Sequence, residues 1–212
     1  MTLDRRTLLA AGLGAGVTAL GAAATWAVLR RPAGGGDLTV EDILNDPDQP
    51  VLGNPQGDVT VVEFFDYQCP YCKGGHPDLM AEVEADGNLR LVMKDWPIFG
   101  DASVLAAQLV LGAVAGGNYL AAQSALMATP ARLSEDDVRA TLTGAGLDPA
   151  VMLEAYRQNR RTWDGLMGRN SQQAAALGLQ GTPAFIIGRG LHAGALDRDR
   201  LRRAIAEARG TA

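Results

Sequence analysis

Only two of the 212 residues are cysteines, and both stand in the stretch "FFDYQCPYCKGGHP", as Cys69 and Cys72. Two thiols in a C-x2-C spacing can do three kinds of chemistry. As zinc ligands they make half of a tetrahedral site. No second C-x2-C exists to complete it, and His76 and His192, the only histidines, would both have to be recruited. As a structural staple they close a very small loop, which removes little entropy from the unfolded chain and strains the bridge. A strained, accessible disulfide is readily exchanged, and that lability is what a redox catalyst needs.

The flanking sequence positions the pair for the third kind. Val59 to Phe65, "VTVVEFF", is β-branched, aromatic and nearly all apolar, the pattern of a strand buried on both faces in a mixed or parallel sheet. After Asp66-Tyr67-Gln68 the pattern turns helical, with Leu79, Met80 and Val83 on one side until Asp86-Gly87-Asn88 ends it. Cys69 therefore stands at a helix N-terminus, where unpaired N–H groups and the macrodipole favour a thiolate. Pro70 suits the first turn, since it has no N–H to leave unpaired. Cys72, one turn on, faces the same way but deeper, so that it can return to attack a mixed disulfide held on Cys69. Cys69 is then the nucleophile and Cys72 the resolving thiol.

Other elements follow from the same periodicities. A short helix is expected from Val40 to Leu44, a short strand at Val51-Leu52 and a second long strand from Leu89 to Lys94, which Trp96-Pro97 breaks. Between residues 101 and 179 no strand pattern occurs. Three or four helices fit there: Val104 to Ala115, Tyr119 to Met127, Asp136 to Leu142 behind a Ser134 cap, and one from Met152 onward behind Asp148 and Pro149. The β pattern returns at Ala184 to Ile187, turns at Gly188-Arg189-Gly190 and runs back at Leu191-His192. A final amphipathic helix places Leu201, Ile205 and Ala208 on one face, with its arginines read as a solvated face.

Strand, "CPYC", helix, a long helical block and then "GTPAFIIG" resemble the DsbA-like thiol:disulfide oxidoreductases of the thioredoxin superfamily, over about residues 50 to 209. The resemblance implies an α/β, thioredoxin-like fold with an inserted helical subdomain. Its first part would cover residues 51–100 with the CxxC, the insertion 101–179, and the second part 180–212. Pro77 falls where such active-site helices carry a kinking proline. Thr182-Pro183 matches the loop whose cis-proline packs beside the CxxC and docks a peptide, so Pro70, Tyr71, Thr182 and Pro183 are expected to bind substrate. Glu63 matches the family's buried acid, and "VVEFF" offers it no polar side. Lys94 in "VMKDWPI" matches the lysine that pairs with that acid. Tyr71 departs from the pattern, standing where the best-known members have His, a change expected to alter how strongly the thiolate is stabilised. Glutaredoxins share CPYC, but they are much shorter and lack an export segment. His76, one turn beyond Cys72, is read as a capping or surface residue. Trp96, Phe99 and Trp163 are read as core or groove lining.

The first 31 residues are a separate matter. Thr7 to Leu29 carries no charge, lies behind Asp4-Arg5-Arg6 and ends at Arg30-Arg31, as an export signal or membrane anchor does. A Gly-rich linker and short N-terminal segment fill residues 32–50. Beyond residue 31 the chain carries 15 basic and 23 acidic side chains, a balance that repels polyphosphate and argues against a nucleic-acid partner.

The resemblance then implies an enzyme of the periplasm or cell envelope that introduces disulfides into exported polypeptides with free thiols. Its own cysteine pair would replace any other cofactor or metal, and a membrane partner of the DsbB or VKOR type would reoxidise it. Run the other way, a form kept reduced by a DsbD-like partner would isomerise or reduce wrong disulfides. Such isomerases are usually oligomeric through an N-terminal stalk, for which residues 32–50 are short, so a monomeric oxidase is expected. A thiol-dependent metal carrier would need Met, His and Cys clustered, whereas six Met and two His are scattered.

Overall fold

The computed structural model describes residues 39–130 and 132–210, so the readings of the apolar segment and the glycine linker lie outside the described residues. Five strands form one mixed sheet in the order β1-β3-β2-β4-β5: β1 (Val51–Gly53), β2 (Val59–Phe65), β3 (Leu89–Asp95), β4 (Ala184–Ile187) and β5 (Gly190–Ala193). β2 lies at the centre, parallel to β3 and antiparallel to β4, and its apolar run is buried on both faces. Each fully buried aliphatic or aromatic side chain there stabilises the fold by about 1.5–3 kcal/mol.

Alternation along β2 and β3 divides the core in two. Val59, Val61 and Phe65 with Leu89, Leu91 and Met93 face one side, and their core continues into the helical block. Val62, Phe64 and Val92 face the other, where α1 (Val40–Leu44) contributes Ile43 and α7 (Arg160–Ala176) contributes Ala174. The active-site helix α2 (Pro70–Asp86) leaves the end of β2, carries Pro77 inside it and stops at Gly87, whose φ of 68° is the left-handed conformation that glycine adopts without penalty. The C-terminal helix α8 (Arg198–Gly210) buries Leu201, Ala204 and Ile205.

Between β3 and β4 stand α3 (Asp101–Gly112), a 3-10 turn (Ala113–Gly116), α4 (Tyr119–Met127), α5 (Glu135–Gly144), α6 (Pro149–Gln158) and α7. The single helix expected from Met152 onward is two. Asn159, at φ −112° and ψ 20°, interrupts it, its N–H closing α6 on Ala155 and Tyr156 while its carbonyl opens α7 to Thr162 and Trp163. Asparagine tolerates this because its side chain satisfies a local carbonyl, here that of Ala155 at 3.2 Å. The reading of 104–115 as helix also starts late, for α3 begins at Asp101, behind Gly100 at φ 98°.

Candidate active site

Cys69 is the N-cap residue of α2, so its sulfur stands at the end of the helix where the first N–H groups have no partner within the helix. Its thiol donates to the carbonyl of Thr182 at 3.2 Å, across 113 residues of sequence. The Thr182–Pro183 peptide bond is cis, and Thr182 with Pro183 faces the CPYC turn. Both cysteines are free thiols and buried. Their acidities are driven apart. A hydrogen bond from Cys72 holds Cys69 down at about 5 against the cost of burial, helped by Thr182 and by the N–H groups of Cys72 and Tyr71. Burial pushes Cys72 far up, and the charges of Cys69 and Glu63 add to it. One thiolate beside one thiol is the state that nucleophilic exchange requires.

Glu63 lies under the pair, 2% exposed, with Oε2 making no hydrogen bond. Burial raises its carboxyl to about 8, and the charge on Cys69 adds to that. The expected pairing with Lys94 is not made. Glu63 is in register with Met93, and Lys94 with Phe64, so the two side chains leave the sheet on opposite faces. Lys94 instead lies buried among residues of the second face, with Nζ 3.3 Å from Gln49 Oε1 and 3.4 Å from Asn170 Oδ1. Nearby, Arg169 clasps Asp46 at 2.6 Å and Asp48 at 2.7 Å. This group fastens the segment before β1 to the sheet. His76 also departs from expectation: it is buried, neither ring nitrogen is hydrogen-bonded, and burial lowers its pKa to about 4.

Two sets of site residues went unread. Asp66 anchors the approach to Cys69: Oδ1 accepts from Gln68 N–H and the Ser103 hydroxyl, each at 2.7 Å, and Oδ2 from Ile98 N–H at 2.6 Å and Phe99 N–H at 3.2 Å. Gln68 Oε1 takes the Leu133 N–H at 2.6 Å, which ties the same turn to the helical block. Asp followed two residues on by a turn amide is a local signal and could have been found; the other partners are remote in sequence. The second set is Tyr67, Asp95 and Tyr119, buried on the Glu63 side of the sheet. Neither tyrosine hydroxyl nor either Asp95 oxygen makes a hydrogen bond of good geometry.

Around the sulfur the surface is apolar and open. Tyr71 is 69% exposed and forms one wall of a groove of about 530 Å³ with Leu179, Thr182, Pro183 and Ala193 to Ala195. Pro70 opens α2 between the two cysteines. On the other flank Phe99 is partly exposed, with the Arg132 guanidinium 4.7 Å over its ring, while Trp96 packs edge-on against Phe64 and Trp163 packs against the larger core. A groove with apolar walls beside a nucleophilic sulfur can accept an extended peptide that carries a thiol.

Comparison with known proteins agrees with this geometry. A family model described as Thioredoxin matches residues 45–207. The thiol:disulfide interchange protein DsbA of Burkholderia cepacia is 28% identical over 191 residues, 85% of this chain and 81% of that one. Disulfide bond formation protein D of Bacillus subtilis (strain 168) is 40% identical over 63 residues, 28% of each chain. Among solved structures, a thioredoxin-like oxidoreductase from Silicibacter pomeroyi DSS-3 superposes with a TM-score of 0.78 at 37% identity, covering 82% of this chain and all of that one.

Proposed function

From the premise that the chain belongs to the thioredoxin family, as a DsbA-like thiol:disulfide oxidoreductase, we propose that it introduces disulfide bonds into exported polypeptides. The observation that carries this reading is the asymmetry of the pair, a low-pKa Cys69 beside a Cys72 that stays protonated. A sulfur that is stable as a thiolate is a good leaving group, so it passes the bond on readily. A substrate thiolate bonds to Cys69 Sγ; the Cys69–Cys72 bond breaks and its electron pair stays on Cys72, which takes up a proton. The substrate's second thiolate then bonds to its first sulfur and expels Cys69 as the thiolate. The substrate has lost two electrons and the enzyme has gained them.

The cysteine pair is thus its own redox group, and a membrane oxidase of the DsbB or VKOR type would take the electrons away. The groove beside Thr182 and Pro183 holds the substrate's chain, with Tyr71 as its outer wall. The enzyme works outside the cytoplasmic membrane, in keeping with the charge-free segment from Thr7 to Leu29. Residues 40–50 support a monomer rather than a stalked isomerase, because Ile43 and Gln49 are committed to the sheet, Gln49 donating to the Met93 carbonyl. Refolding of a reduced protein and rescue of a scrambled one, measured side by side, test the reading. Oxidation with little rescue is expected; rescue with little oxidation would assign it to the isomerases.

A further inference from the structure

The groove beside Pro183 does not end at its alanines. Ala193 and Ala195, which wall it, also wall a second cavity of about 350 Å³ that reaches the C-terminal helix α8. The sill between the two is low and fixed. Ala193 is in register with Ala184, and Gly194, at φ 96°, donates to the Pro183 carbonyl at 3.0 Å, which holds residues 193–195 beside the loop that meets Cys69. All three are exposed, and none has a side chain long enough to close the way. The far cavity differs in character from the near one. His192, Arg200 and Arg203 line it, with Glu207 as its single acid. The other arginines of α8 are committed to the fold: Arg198 and Arg202 hold Glu82 at 3.4 Å and 2.8 Å, and Arg209 clasps Asp58 at 2.8 Å and Asp86 at 2.9 Å. Arg200 meets Asp197, three residues before it, at 3.4 Å with both exposed, and Arg203 makes no ion pair among the described residues. Two cations are thus left to solvent, in an acidic body, where a groove for polypeptide leads.

We infer that this cavity is a second subsite for the substrate polypeptide, which takes an acidic side chain while the substrate's cysteine lies at Cys69. This rests on the thiol-exchange reading above and names the class of substrate it prefers. Leu201, Ala204 and Ile205 of α8 share one core with Cys69 and Cys72, so the helix and the cysteines lie on the same side of the sheet. A strand spacing of about 4.8 Å and a layer spacing of about 10 Å then separate the Thr182 carbonyl from α8, and an extended peptide rising about 3.3 Å per residue covers the sum in about four or five residues. A carboxylate at that distance from the cysteine reaches the two guanidinium groups over the small residues of the sill. Arg200 and Arg203 take no part in the exchange itself. They select the polypeptide, through encounter and through a partly exposed ion pair.

The rate at which the oxidised enzyme turns synthetic peptide dithiols into disulfides tests this. The peptides are alike except for Glu, Gln or Lys placed about four or five residues from the cysteines, on one side or the other. At low ionic strength the Glu peptide should be oxidised about threefold faster than the Gln peptide, within the range of an exposed ion pair, and the Lys peptide should be slowest. Sodium chloride at about 0.5 M should erase the order. In Arg203→Glu the order should reverse, and comparison over the same peptides removes any difference in their own thiol acidity. Equal rates at low salt, or an order that Arg203→Glu leaves as it was, would overturn the inference. If the variant fails to fold, the wild-type order in salt decides, since an order that persists there is not read by charge. Binding to vesicles of an anionic phospholipid that Arg203→Glu abolishes, with the peptide order unmoved, would assign the cavity to a membrane surface and overturn it too. Peptides that are not oxidised at all would remove the oxidoreductase reading; peptides oxidised at equal rates remove only this subsite.

Discussion

Cys69 and Cys72 are three residues apart at the start of one helix, the first as its N-cap, yet only the first meets groups that stabilise a charge. The helix N–H groups, the Cys72 thiol and Thr182 converge on it, while Cys72 meets apolar surroundings and the Glu63 carboxyl. In the reduced protein, iodoacetamide should therefore label Cys69 alone at mildly acidic pH, with a midpoint near 5. Equal labelling of both, or a midpoint near the free thiol value of about 8.5, would contradict the assignment. Thr182 otherwise leaves its hydroxyl without a partner, and it contributes to the low value at Cys69. Replacing it with the near-isosteric valine removes the side-chain contribution and keeps the carbonyl that the thiol meets. Thr182→Val should move the Cys69 midpoint up, measured by the same alkylation profile. An unmoved midpoint would restrict Thr182 to its carbonyl. Most of this was legible: the spacing marks the pair, and the strand-to-helix transition at residues 65–70 marks which thiol is activated. The burial of His76 was not, because a histidine between glycines and a proline carries no periodicity that tells inside from outside.

Among the elements, the parity of a strand decides which side chains can meet. The family resemblance pairs Glu63 with Lys94, yet one residue of register separates the faces they occupy. A single apolar run such as "VTVVEFF" has no alternation to reveal parity, since both of its faces are buried. Lys94→Met should consequently leave the Cys69 midpoint where it is, and cost stability only through the lost bonds to Gln49 and Asn170, about 1–3 kcal/mol and partly offset by the apolar face. Urea unfolding with parallel alkylation checks both; a displaced midpoint would show that Lys94 reaches the acid after all. Asp66→Asn should act the other way. It removes the charge that gathers the Ile98, Phe99 and Ser103 donors and should lower exchange rates severalfold while the fold stands. An unchanged rate would reduce Asp66 to packing. Helix ends that rest on local caps, such as Ser134 for α5 and Asp148 for α6, could be read directly. The break at Asn159 and the burial of Tyr119 in the larger core depend on contacts that no local pattern carries.

For the molecule as a whole, the central claim is that reduction is the stable state, the reverse of what a disulfide ordinarily contributes. Closing a four-residue loop stabilises the oxidised fold by about 2 kcal/mol in the chain-entropy account. Against it stands the thiolate. The folded pKa of Cys69 is about 5, below its unfolded value, so its stabilisation is fully present above the unfolded pKa of about 8.5 and is lost as pH falls through 5. Each pH unit above the folded value adds about 1.4 kcal/mol to the reduced form, which makes roughly 4 kcal/mol at pH 8 and almost nothing at pH 4. Glu63 and Asp95, with pKa values raised by burial, cost stability as pH rises, but in both redox forms, so they largely cancel from the difference. The most direct measurement is urea unfolding of the reduced and the oxidised protein at pH 8 and at pH 4. The reduced form should be the more stable at pH 8 by about 2 kcal/mol, the surplus of thiolate over loop closure, and the less stable at pH 4. An oxidised form that is the more stable at pH 8 would contradict the oxidase assignment.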